Sequence, residues 1–160
     1  MAEPIRVERS VAVEPERAFR AFTEEMGSWW PRAYSWSRDV LEDMVIAPRT
    51  GGLCTELGPD GFRCDWGRVT AWEPPRRLAF TWQIAPDRTP APDPARGSDV
   101  SVTFEAADGV QGAPGTPGTR VTLEHRNLER HGDEAGEYRA AMASEAGWPF
   151  ILAAFADHIG

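Results

Sequence analysis

Residues 134–160 read EAGEYRAAMASEAGWPFILAAFADHIG, and Met142, Trp148, Ile151, Leu152, Phe155 and Ile159 fall on one broad stripe at helical spacing. The spacing predicts a long C-terminal helix starting near Glu134, with one face laid on an apolar surface. Gly147 inside that helix costs about 1 kcal/mol relative to alanine, which a closely approaching sheet backbone would explain. Pro149 lacks the amide hydrogen that a mid-helix position needs, so the helix should bend or restart there.

The chain upstream supplies the apolar surface. Ile5, Val7, Val11 and Val13 alternate with Arg6, Glu8 and Ser10, the pattern of a half-buried strand that Arg9 interrupts. Pro15 suits a first helical residue, Glu14 and Glu16 sit near the positive helix end, and Ala18, Phe19, Phe22 and Met26 follow at helical spacing. This predicts a helix over 15–25 ended by Gly27, with Trp29, Trp30 and Pro31 closing a second short turn. From there to about residue 127 the signals are strand and turn. Strands are expected over 40–47, 51–57 and 62–73, with a tight turn at Pro59, Asp60 and Gly61. In the longest of them, Phe62, Cys64, Trp66, Arg68, Thr70 and Trp72 share one face. Leu78, Phe80, Trp82 and Ile84 mark the next strand, Val100, Val102 and Phe104 another, and Val121, Leu123 and His125 the last. Segments 85–99 and 108–118 read as exposed loops. The order strand, two short helices, about six strands, long helix points to an α+β fold, with a curved antiparallel sheet around one terminal helix.

The totals narrow the function. At 160 residues the chain suits one domain, taken as 1–160, and its 41% apolar content with seven tryptophans gives ample core material. A net charge of −8 argues against nucleic acid, whose binders carry basic patches. All 17 cationic side chains are arginine, so Schiff-base chemistry and a P-loop lysine are excluded. No apolar run reaches the roughly 20 residues of a membrane span. The N-terminus lacks a signal-peptide pattern, so a cytoplasmic location is expected. Cys54 and Cys64 flank a hairpin turn; counting with Leu57 opposite Phe62 puts them on opposite sheet faces, as two reduced thiols. With His125, His131 and His158 scattered, no metal-ligand spacing is present and no cofactor is expected.

Four stretches together resemble a known family: VAVEPERAFRAFTEEMGSWWP at 11–31, DGFRCDWGRVTAWEPPRRLAFTW at 60–82, GTRVTLEH at 118–125 and GWPFILAAF at 147–155. In order and spacing they are similar to the AHSA1-like (activator of Hsp90 ATPase homologue) branch of the START/Bet v 1-like SRPBCC superfamily. The resemblance implies a helix-grip fold, a curved antiparallel sheet gripping the C-terminal helix with a cavity between them. Members of that superfamily bind lipids, sterols or polyketides, and some catalyse cyclisation or dehydration, so the resemblance locates a site better than it names a chemistry. Pro149 and the length of the 85–99 loop depart from the family pattern; the loop reads as a lid or a surface insertion.

The expected ligand contacts are the inward aromatic and apolar residues Trp66, Trp82, Phe104, Trp148, Leu152 and Phe155, together with Arg68 and His125. Each ring serves equally well as plain core packing. Arg68, placed inward by alternation, should pair with an internal carboxylate or greet an anionic ligand. His125 reads first as a satisfied structural histidine; it is also the one catalytic candidate, as a general acid–base with Glu124 or Glu56 as carboxylate partner. No nucleophile–base pair is visible. The leading expectation is therefore a binding domain for a small apolar or amphipathic molecule, with uptake blocked by filling substitutions such as Ala154→Trp. A cyclase or dehydratase acting on a polyketide-like substrate comes second. A chaperone partner ranks last, and a homodimer stays open.

Overall fold

The computed structural model describes residues 3–107 and 118–159. The expected loop over 108–118 lies, apart from Gly118, outside them. The strands are β1 (Ile5–Val11), β2 (Asp43–Ile46), β3 (Leu53–Leu57), β4 (Arg63–Glu73), β5 (Arg77–Trp82), β6 (Ser98–Ala106) and β7 (Thr119–Arg126). They form one antiparallel sheet in the order β1-β7-β6-β5-β4-β3-β2, curled around the C-terminal helical segment as the helix-grip expectation requires. Helix α1 (Pro15–Glu24) begins on its proline and buries Ala18, Phe19 and Phe22. It ends before Gly27, which lies inside the short α2 (Met26–Trp29) rather than terminating α1.

Strand β4 departs from simple alternation, and this corrects the placement of Arg68. Its pairing to β3 jumps from Thr55↔Asp65 to Cys54↔Gly67, leaving Trp66 without an opposite residue. Its pairing to β5 jumps from Val69↔Phe80 to Ala71↔Ala79, leaving Thr70 unmatched. Each bulge inserts one residue and reverses which side chains face inward. Trp66 and Trp72 therefore turn inward, while between the bulges Val69 is buried and Arg68 is exposed. Among the described residues the Arg68 guanidinium meets the Gly51 carbonyl, at 3.4 Å, and reaches neither an internal carboxylate nor a cavity. The hairpin register also differs from simple counting: Leu57 pairs with Arg63, so Cys64 opposes Glu56 and shares a face with Cys54. Both cysteines are free, with burial pushing Cys54 up to about 12 and Cys64 up to about 11.

The C-terminal helix is two helices, α3 (Ala135–Ala143) and α4 (Trp148–Ile159). Pro149 occupies the first turn of α4, where an amide hydrogen has no intrahelical partner anyway, so it restarts the helix at no cost. Gly147 lies in the break, and the structure gives it a different neighbour from the expected sheet. A Cβ there would lie 2.1 Å from the Met142 carbonyl oxygen at the end of α3. Gly147→Ala should therefore force α3 and α4 apart and cost about 2 kcal/mol, measurable as a lower urea midpoint; an unchanged midpoint would show that the break tolerates a methyl group.

Aromatic rings fill the space between sheet and α4. Phe155 packs edge-on against Phe22 at 5.3 Å and Trp29 at 5.2 Å. Trp148 meets Trp82 at 5.3 Å, which in turn meets Trp66 at 5.6 Å. Phe104 packs against Phe19 at 5.3 Å. The concave face that the helix grips is thus a packed core.

Candidate functional site

A cavity of about 450 Å³ opens beside that core, where the α3–α4 break faces the segment 30–38 and the start of the 85–99 loop. Its walls are aromatic: Trp30, Tyr34, Trp36, Trp82 and Tyr138 line it, with Ile84 and Met142. Arg38 and Arg88 bring the charge. Four hydrogen bonds hold the walls in place. The Tyr34 hydroxyl donates to the Ala146 carbonyl at 2.7 Å, tying segment 30–38 to the helix break. The Trp36 indole donates to the Arg88 carbonyl at 2.8 Å, tying it to the loop. The Tyr138 hydroxyl accepts from the Trp82 indole at 2.7 Å and donates to the Ile84 carbonyl at 2.8 Å, joining α3 to β5. Burial pushes Tyr138 up to about 12, so it stays a neutral phenol.

Glu56 works as an anchor beneath this wall. Its carboxylate is fully buried on β3 and accepts from the Trp36 amide at 3.0 Å and the Ser37 amide at 2.8 Å. Charge-assisted bonds of this kind are the stronger ones in proteins, and here they pin the backbone that presents Trp36 and Arg38. Glu56 is therefore committed to the loop and does not partner His125. Glu124 does not partner it either, since it pairs with Arg6 and Arg126.

His125 is fully buried, and both ring nitrogens are engaged. The Trp148 indole N–H can only donate, and it lies 2.9 Å from Nδ1, so the ring hydrogen belongs on Nε2. Nε2 then donates to Ser98 Oγ at 2.6 Å, and the Ser98 hydroxyl can donate to His131 Nε2 at 2.8 Å. Desolvation, aided by the nearby His131, holds His125 down at about 3, and desolvation also lowers His131. With Nδ1 occupied by an indole and the protonated form suppressed, the geometry gives His125 the role of a core hydrogen-bond hub.

Among the expected ligand contacts, Trp82 lines this cavity, whereas Trp66, Phe104, Trp148, Leu152 and Phe155 are packed into the core with His125. Ala154 does not line it either. The main wall residues outside the expected set are Trp30, Tyr34, Trp36, Arg38, Arg88 and Tyr138. The signals that could have found them were the unusual length of the 85–99 loop and the aromatic cluster at 29–36, neither of which has a period that assigns a face.

The sheet order and the gripped helix are those of a described protein family. The family model for activator of Hsp90 ATPase homolog 1-like proteins matches residues 12–160. The chain belongs to this family. No curated protein matches the chain. Among solved structures, the anthrahydroquino-gamma-pyrone synthase Txn09, complexed with SUM, is 34% identical, covering 98% of this chain and 96% of its own, with a TM-score of 0.64. The self-sacrificing resistance protein CalC from Micromonospora echinospora is 25% identical over 98% of this chain and 93% of its own, with a TM-score of 0.66. The Aha1 dimer from Colwellia psychrerythraea shares the fold at 17% identity and a TM-score of 0.65, covering 99% of this chain and 96% of its own. No helix among the described residues is long and apolar enough to cross a membrane.

Proposed function

We propose that the protein binds a planar, oxygenated aromatic molecule of polyketide type in the cavity at the α3–α4 break. The observation that carries this reading is the aromatic wall, with five large rings around about 450 Å³, a volume within the ordinary range of small-molecule sites. Flat rings favour a flat guest through offset and edge contacts. The 34% identity to a synthase named for an anthrahydroquinone-pyrone product supports the same guest class.

Catalysis of a ring closure on such a guest is the second reading, favoured by that same relative. The cavity's own hydroxyls are already committed: Tyr34 donates to the Ala146 carbonyl, Ser35 to the Arg32 carbonyl, Ser144 to the Ala141 carbonyl and Tyr138 to the Ile84 carbonyl. Arginine does not give up its proton in proteins. Holding and shaping the guest is thus the better supported role, and binding ranks ahead of turnover.

Isothermal titration calorimetry with emodin, a trihydroxyanthraquinone, tests the reading. One saturable site with a Kd on the order of 1 μM, or about −8 kcal/mol, is expected. Neither heat nor an adduct in native mass spectrometry at tenfold excess would overturn it.

A further inference from the structure

Charge is distributed unevenly around the cavity. The chain carries 25 Asp and Glu against 17 arginines, a net −8. Nevertheless no carboxylate lines the cavity among the described residues, while Arg38 and Arg88 do. Neither arginine takes part in an ion pair among the described residues. In an acidic protein, the charged side chains lining this cavity are thus cations alone among the described residues.

The backbone around both arginines is built rather than loose. Arg38 has φ 51° and Arg88 has φ 71°, the left-handed region that non-glycine residues seldom occupy. Such conformations persist where the surroundings impose them. At Arg38 the surroundings are its own amide, donating to Ser35 Oγ at 2.8 Å, and the two amides before it, fixed on buried Glu56. At Arg88 they are the carbonyl held by Trp36 and a turn closed by its amide on the Ala85 carbonyl at 2.8 Å. The Arg88 guanidinium rests 5.9 Å from the centre of the Tyr34 ring. A guanidinium in that position retains its donors for a planar anion and can stack beside an aromatic guest.

We infer that the guest carries an anionic oxygen group, a carboxylate or an ionised phenol, and that Arg38 and Arg88 receive it at the cavity mouth. This rests on the aromatic-guest reading above and adds the group that orients the guest.

Calorimetry at pH 7.5 with two isosteric probes, anthraquinone-2-carboxylate and anthraquinone-2-carboxamide, tests it on the wild type and on Arg38→Gln and Arg88→Gln. The readout is the preference for carboxylate over carboxamide within each protein, which cancels any general effect of a variant on the cavity. The wild type should prefer the carboxylate by about tenfold. Each variant should reduce that preference by about threefold or more, and the double variant should abolish it. Raising sodium chloride from 0.05 to 0.5 M should shrink the wild-type preference without any substitution, which keeps the test open if a variant folds poorly. Equal affinity for the two probes in the wild type, or a preference that survives in the double variant, would overturn the acid-group assignment and leave the aromatic site standing. Binding of neither probe would overturn both.

Discussion

Lowering the pH from 6.5 to 4.5 is expected to remove about 2 kcal/mol of unfolding free energy, the slope approaching about 1.4 kcal/mol per pH unit for a single histidine. The histidine is His125, held at about 3 in the folded state by burial, against an unfolded value of about 6.5. Between those values the unfolded chain takes up a proton that the folded chain refuses. The stability due to the neutral ring is therefore complete above the unfolded value and is lost as pH falls towards the folded one. His131, lowered by burial, acts in the same direction. The carboxyls of Glu25, Glu124 and Asp87, held low mainly by hydrogen bonds, contribute above their unfolded values and are lost only at more acidic pH. Urea unfolding at pH 6.5, 5.5 and 4.5 should show the slope, and His125→Leu should flatten it even though that variant is less stable throughout. A flat wild-type profile over this window would mean that His125 is not held neutral by the core.

Ala141→Trp should abolish uptake of emodin, by 100-fold or more in affinity, while leaving the protein folded. Ala141 lies on α3, exposed and lining the cavity, so an indole projected from it fills the space a guest needs. Its backbone stays helical at a cost of a few tenths of a kcal/mol in propensity. The melting temperature should fall by no more than about 3 °C. Calorimetry and a thermal melt on the same preparation separate the two effects. Undiminished binding by a folded Ala141→Trp would move the guest elsewhere.

Much of the fold was legible because burial imposes a period on each element. The alternation in β1, β6 and β7 and the helical spacing of Phe19 and Phe22 each follow from one face meeting the core. Arg68 escapes the alternation because two bulges reverse the facing of the residues between them; Gly67, beside the first, is the kind of strand residue that marks a bulge, whereas nothing marks the second at Thr70. The apolar stripe of the last helix was equally legible, but it does not distinguish one helix from two that share a stripe. Pro149 pointed to a restart, whereas the contact of Gly147 with Met142 depends on how the two pieces pack. The cavity was hardest to see. Its position depends on rings such as Trp66 and Phe155 filling the gripped interior, and its walls come from loops whose facing follows from single hydrogen bonds, such as Trp36 to Arg88.

The central claim, that the guest sits at the α3–α4 break and not beneath α4, is tested most directly by the indole N–H cross-peaks of the seven tryptophans in a ¹⁵N-labelled sample titrated with emodin. Trp30, Trp36 and Trp82 line the cavity and should shift together with one saturation curve. Trp29, bonded to the Ala21 carbonyl, and Trp148, bonded to His125, should stay in place. Shifts at Trp29 and Trp148 with Trp36 unmoved would put the guest inside the core and contradict the account.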